Sequence, residues 1–218
     1  MAQPHSELPR PAPRLYLVTP PVEDAAAFTR LLEPLLGIAD LAAVLLKLAP
    51  AGESELIRRV KALAPGIQGT GAALILDGHP DIVARAGADG AHLTGIGVFT
   101  EAIESLKPDR IAGAGGMHTR HDAMLAAESD ADYVMFGEPE ASGQRPAFGA
   151  IEDRVAWWAE VFQLPCVAFA AALEEIEPLA AAGADFVAVG DCIWNDARGP
   201  AAALADATAR LVLREKVE

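Results

Sequence analysis

A short junction recurs four times along the chain: a helical stretch, an Ala-Asp pair, then an apolar run. It reads Gly37-Ile38-Ala39-Asp40-Leu41, Gly87-Ala88-Asp89-Gly90-Ala91, Asp130-Ala131-Asp132-Tyr133-Val134 and Gly183-Ala184-Asp185-Phe186-Val187. The alanines lie 49, 43 and 53 residues apart. One βα unit of a barrel takes about 25–30 residues, so the junction marks every second strand. A glycine at the helix end suits a left-handed cap, and the small Ala lets that end lie close to a sheet. The apolar run that follows suits a strand buried on both faces.

The strands between the copies are Ala72–Leu76, Arg110–Gly113 and Pro165–Phe169, and Leu15–Val18 opens the series, closed by Pro20-Pro21. Helical patterns separate them over Val22–Leu36, Glu53–Leu63, Pro80–Ala86, Phe99–Leu106, Arg120–Glu128, Ile151–Phe162, Leu173–Ala182 and Ala201–Arg214. Alternating strands and helices give a parallel sheet. Eight units predict a single-domain α/β fold, the (β/α)8 TIM barrel, over residues 14–218. Residues 1–13, with Pro4, Pro9, Pro11 and Pro13, read as an extended tail. A doubly wound open sheet is the alternative, but no G-x-G-x-x-G follows the first strand.

Composition narrows the function classes. Lys and Arg number 17 against 31 Asp and Glu, a net charge of −14. Such a chain repels phosphate backbones and anionic lipid, so neither nucleic acid nor membrane is an expected partner. No apolar run approaches the roughly 18 residues of a membrane span. With only Cys166 and Cys192 there is no zinc pattern and no disulfide framework. No leader pattern opens the sequence, and a cytoplasmic setting is expected.

Barrel chemistry sits at the C-terminal strand ends. Reading those ends in order gives Thr19, Lys47, Asp77 and His79, His92 and Thr94, His118, Gly137 and Glu138, Ala170 and Ala171, and Asp191. Three of the five histidines fall there. Each residue also has a plainer reading. Lys47 can snorkel beneath the loops, and His92 can be a core histidine with its bonds satisfied. His118 can flank a helix cap at Thr119, Asp77 can make a turn, and Asp191 can cap a helix. The 138–149 loop has the composition of a mobile lid, and its Arg145 is the cation placed to meet an anionic ligand. Of Trp157 and Trp158, one is expected to pack inward and the other to be partly exposed.

Leu15-Tyr16-Leu17-Val18-Thr19, Gly87-Ala88-Asp89-Gly90-Ala91-His92-Leu93 and Ala131-Asp132-Tyr133-Val134-Met135-Phe136-Gly137, in that order, resemble the thiamine phosphate synthase and thiazole tautomerase (TenI-like) family. The likeness runs from about Leu15 to Ile193. It implies a (β/α)8 barrel acting on small phosphorylated heterocycles, with Mg²⁺ in the synthase, which joins a pyrimidine pyrophosphate to a thiazole phosphate. Lys47 falls on the lysine of the family's Q-L-R-x-K. N-D-R falls on Asp77-Gly78-His79, leaving Asp77 as the carboxylate for a metal. H-L-G-Q-x-D falls on His92-Leu93-Thr94-Gly95-Ile96-Gly97 without its aspartate. The Gly-Gly after the seventh strand is Ala170-Ala171, and the serine after the eighth is Asp191. The T-x-T-K segment has no counterpart in residues 138–146 beyond the charge of Arg145. The tautomerase S-x-H falls on Gly116-Met117-His118 and keeps the histidine that serves there as acid and base. Lys47, His92 and His118 are therefore the catalytic candidates. Thr19, Asp77, His79, Thr94, Gly137, Glu138, Arg145, Ala170, Ala171 and Asp191 are the substrate-binding candidates. Two readings stay open: a family enzyme of thiamine metabolism, or a diverged barrel that binds another small ligand or a protein partner. A homo-oligomer is compatible with either.

Overall fold

The computed structural model describes residues 11–140 and 142–212. Eight parallel strands close into a barrel in chain order: β1 (Arg14–Val18), β2 (Leu41–Leu46), β3 (Ala73–Asp77), β4 (Gly90–Thr94), β5 (Ile111–Gly115), β6 (Tyr133–Phe136), β7 (Cys166–Ala170) and β8 (Phe186–Val189). The connecting helices are α1 (Ala25–Leu36), α2 (Glu53–Gln68), α3 (Val83–Ala86), α4 (Ile96–Leu106), α5 (Arg120–Glu128), α6 (Phe148–Val161) and α7 (Ile176–Ala181), followed after β8 by α8 (Asp191–Trp194) and α9 (Pro200–Val212). Among the described residues no helix is long and apolar enough to cross a membrane. The expected tail lies outside the described residues up to residue 10, and so do residues 213 and 214 of the last expected helix.

Side chains alternate across each strand. Leu15, Leu17, Val44, Leu46, Val134 and Val187 face the helices in one large apolar cluster. Tyr16, Val18, Leu45, Ile75, Tyr133 and Val167 face inward in a second. Two inner residues of the lower strand ends, Ala43 and Ala73, are small. They leave an apolar pit of about 260 Å³ there, bounded by Tyr16 and Tyr133.

Element ends differ from expectation for local reasons. Helix α1 starts at Ala25 rather than Val22, because the Asp24 carboxylate accepts from the Ala26 and Ala27 amides and fixes the first turn there. Val22 is used instead in a bridge to Leu48. The expected helix over Leu173–Ala182 begins as a 3₁₀ turn, Leu173–Glu175, before α7. Thr119 caps α5 through a reciprocal pair with Asp122, as expected. Trp158 is buried and Trp157 half-buried, with the Arg120 guanidinium 4.6 Å over the Trp157 ring.

The recurring aspartate has a specific task that its spacing alone did not disclose. Asp89 Oδ2 accepts from the Leu74 amide, Asp132 Oδ2 from Ala112 and Asp185 Oδ2 from Cys166, at 2.7, 2.7 and 2.8 Å. Each aspartate also donates its own amide to the carbonyl of that same residue. A two-bond bracket therefore ties the foot of β3, β5 and β7 to the junction entering the next strand. The first copy differs. Asp40 turns outward to the Arg14 guanidinium, and the β1–β2 register shifts between Leu15 and Tyr16 at that point. The left-handed glycine cap holds for Gly87 and Gly183, while Asp130 takes that conformation in the third copy and Gly37 stays right-handed.

A differential prediction follows. Asp89→Ala leaves the buried Leu74 amide without its acceptor and is expected to cost about 1–3 kcal/mol. Asp40→Ala, at an exposed ion pair, is expected to cost about 0–1 kcal/mol. Urea unfolding of both variants checks this, and equal losses would remove the bracket as a stabilising device.

Candidate active site

The C-terminal ends of β4, β5 and β6 surround a cavity of about 290 Å³, with Thr94, Gly116, His118, Glu138 and Arg154 in its wall. Gly137 turns the chain from β6 into this wall at φ +88°, and a Cβ there would come 2.8 Å from the Ile151 side chain. Only glycine meets both demands. From α6, Arg154 donates to the carbonyls of Met117 and His118 at 2.7 and 3.2 Å, fixing the backbone that carries His118. The imidazole itself stands in solvent, with Nδ1 3.7 Å from Glu140 Oε1, an ion pair when the ring is protonated.

Beneath the cavity a polar chain runs through the barrel interior. Tyr16 Oη lies 2.8 Å from Tyr133 Oη, which lies 3.0 Å from His92 Nδ1. On the far side of the ring Nε2 lies 3.4 Å from Glu138 Oε1, which also accepts from the Gly116 amide at 2.7 Å. Burial pushes both phenols well above their ordinary pKa, so each keeps its single proton. If Tyr16 donates to Tyr133 and Tyr133 to Nδ1, both protons find acceptors. The reverse order leaves the Tyr16 proton with none among the described contacts. The network therefore sets His92 as the Nε2–H tautomer, donating to Glu138. Both donors reach one carboxylate oxygen, and Oε2 is buried with no hydrogen-bond partner in the structure.

Two glycines of β5 make room for this chain. A Cβ on Gly113 would overlap the Tyr133 ring, and one on Gly115 would overlap Glu138 Oε1 and His92 Nε2. The plain reading of His92 as a core histidine with its bonds satisfied is met, and its second nitrogen also supports a carboxylate in the cavity wall.

Other predicted residues fall elsewhere. Thr19 is buried and structural, its Oγ1 accepting from the Lys47 amide at 3.0 Å. Lys47 and Asp77 are half-buried, and neither they nor Asp191 are in the cavity wall. His79 is exposed, left-handed at φ 54°, and starts the 3₁₀ turn Pro80–Ile82, so it is a turn residue. Ala170 belongs to the outward apolar cluster, with its methyl group toward the helices. Asp191 is exposed and is the first residue of α8, with Gly190 as the cap.

Arg145 corrects a further expectation. It is not free to meet a ligand. Nε donates to Gly137 O, Nη2 to Phe169 O, and Nη1 to both oxygens of Glu175 at 3.0 and 2.8 Å. The loop read as a mobile lid is thus pinned at Arg145 to β6, β7 and the turn before α7. Glu175 Oε2 additionally accepts from the Ala171 amide at 2.8 Å. Burial raises the nearby Cys192 thiol, with Asp191 and Glu175 adding to the effect.

Asp77 is the carboxylate the sequence offers for Mg²⁺, an ion that proteins hold through one or two carboxylates together with substrate phosphates. Asp77 is the single carboxylate at the end of β3, followed by glycine. No group of three His, Cys, Asp or Glu side chains among the described residues converges to hold a metal.

Tyr16, Tyr133, Arg154 and Glu175 escaped the sequence reading. The tyrosines carried a usable signal, since they share the inward parity of His92 across the barrel. Glu175 carried none, being one of three acids in Glu174-Glu175-Ile176-Glu177.

Fold and cavity together define a TIM-barrel protein with a cavity among the strand ends of its C-terminal face. The sequence profile described as "Thiamine monophosphate synthase" matches residues 15–193. A thiamine-phosphate synthase of Rhodospirillum centenum is 41% identical, over 88% of this chain and 95% of its own. One of Hyphomonas neptunium is 36% identical, over 90% and 92%. Among solved structures, thiamine phosphate pyrophosphorylase from Pyrococcus furiosus superimposes with a TM-score of 0.75 at 20% identity, covering 94% and 98%. A 3-hexulose-6-phosphate synthase from Salmonella typhimurium reaches 0.68 at 16% identity, covering 91% and 99%. These two show the shared fold. The chain belongs to the thiamine monophosphate synthase family, a family of thiamine biosynthesis.

Proposed function

We propose that this protein works in the cytoplasm on a small heterocycle of thiamine metabolism, held in the β4–β6 cavity. There it moves a proton on the bound ring system rather than carrying out Mg²⁺-dependent coupling. The observation that carries this reading is the cavity wall, where His118, Glu138 and Glu140 flank one space of about 290 Å³. Tautomerisation takes a proton from one atom and returns one to another, so it needs an acid and a base and no further reactant. His118 is the candidate shuttle, an imidazole that can both take and give a proton. Glu138, supported by His92 and the Gly116 amide, is the second proton-bearing group. Thr94 and Gly137 remain ligand-binding candidates in that wall, and Lys47 and Asp77 remain candidates at the ends of β2 and β3.

A second reading, the synthase reaction itself, is favoured by the 41% identity to the Rhodospirillum centenum enzyme over nearly its whole length. One pair of assays separates the two. The protein is given pyrimidine pyrophosphate, thiazole phosphate and Mg²⁺, and separately a thiazole in D₂O. The expected result is no thiamine phosphate at high protein concentration, with solvent deuterium entering the thiazole carbons by NMR. Formation of thiamine phosphate overturns the first reading in favour of the second. Absence of exchange overturns proton transfer.

A further inference from the structure

The interior of a (β/α)8 barrel is normally filled by layers of bulky branched side chains. The foot of this barrel is not filled. Ala43 and Ala73, partners in the β2–β3 register, are the first inward residues of their strands. They leave the apolar pit of about 260 Å³. Its rim is partly exposed at Ala73, Ile111 and Phe186, whereas Tyr16, Ile75 and Val167 are buried at its inner end. The pit therefore opens at the strand feet and ends blind inside the barrel, on the opposite face from the β4–β6 cavity. Three aromatic rings stand in its wall, those of Tyr16, Tyr133 and Phe186, and the two tyrosine rings meet edge to face at 5.9 Å. Asp132 is the single charged residue among the described residues of the wall. Its carboxylate is already engaged by the Ala112 amide and by Lys107 Nζ.

We infer that the pit is a second binding site, for a neutral molecule built on one aromatic ring. Size sets the ring count. An apolar cavity of about 150 Å³ takes benzene, and pockets for drug-sized molecules start at about 300 Å³. The wall sets the ring type, because a ring slotted among three others gains tilted ring–ring contacts beyond its buried area. The same wall excludes an ion, which on leaving water needs a paired charge, and the one charge present is taken. Water fills the blind end poorly, since each molecule needs two to four polar partners. The site lies at the other end of the barrel from the proton-transfer groups, so it stands or falls apart from the functional reading above.

Toluene is the probe, titrated into the whole chain and followed by NMR of the methyl groups. Saturable binding is expected, with a Kd on the order of a millimolar or below. Nuclear Overhauser contacts from toluene should fall on Ile75, Ile111 and Val167. Benzoate has a similar size but carries a charge, and is expected to bind about tenfold more weakly or worse. Ala73→Leu puts its added atoms into the pit and is expected to weaken toluene binding by about tenfold or more while the protein still unfolds cooperatively. Absence of saturable binding in the wild type overturns the inference. So do contacts confined to other methyl groups, benzoate binding as tight as that of toluene, or unchanged affinity in a folded Ala73→Leu. Contacts from residues 1–10 to the Ile75 methyl groups in the free protein also overturn it, giving the pit to the chain's own N-terminal segment. If Ala73→Leu fails to fold, the wild-type contacts and the benzoate comparison decide.

Discussion

Alanine at position 115 is expected to lower the melting temperature by several degrees and to disable the site at once. The added Cβ would overlap Glu138 Oε1 and His92 Nε2, and β5 is held between β4 and β6 by its ladders. Neither side can yield cheaply. His92 is buried and stacked on the Tyr133 ring, and Glu138 is held by the Gly116 amide. Overpacking of this kind costs about 1–3 kcal/mol. In a domain of this size each kcal/mol moves the midpoint by about 2–4 °C. The same shift separates Nε2 from Glu138, so turnover or ligand binding should fall with stability. Calorimetry alongside a cavity-ligand titration checks both, and a midpoint within about a degree of wild type would show slack in β5 that its neighbours do not reveal.

His118→Ala should behave in the opposite way. Its side chain is 70% exposed and contributes no cap, since Thr119 and Asp122 close the start of α5 between themselves. Loss of an exposed side chain of this kind changes stability by about 0.5 kcal/mol or less. Loss of a general acid or base lowers a rate by about 10²–10⁴-fold. Turnover should therefore collapse in a protein that melts normally. Full turnover in the variant would remove His118 from the mechanism and leave Glu138 to be examined alone. Gly115→Ala and His118→Ala together distinguish a site built into the core from a group displayed above it.

The barrel was legible because its signal is periodic. The Ala-Asp junction recurs where a helix end enters each even-numbered strand, so its spacing counts strands in pairs whatever else the loops contain. Strand positions drifted by a residue or two because polar groups set the ends. Asp24, for example, outcompeted the apolar pattern at the start of α1. The site was legible only where parity and chain order suffice. Thr94, His118, Gly137 and Glu138 converge as strand ends of neighbours should. Arg145 misled, because a loop cation's partner depends on which acid the fold brings within reach. That acid was Glu175, 30 residues away and unremarkable in its local sequence. The Tyr16–Tyr133–His92 relay needed the ring closed before residues 117 positions apart could touch.

The aspartate brackets also bear on how the ring is completed. They join residues 15, 20 and 19 positions apart, so each closes a short loop. The pairing of β1 with β8 joins Leu15 to Val187, 172 positions away. Chain-closure entropy grows as the logarithm of loop length, so that last pairing costs about 2 kcal/mol more to bring together than a bracket does. β1 is also the odd-numbered strand that no aspartate brackets, and its register slips there. Three quarters of the ring are thus secured by contacts near in sequence, and the entropic burden of circular closure gathers at β1. A chain reopened between β2 and β3 would carry that burden to a different seam and leave the β4–β6 cavity as it is.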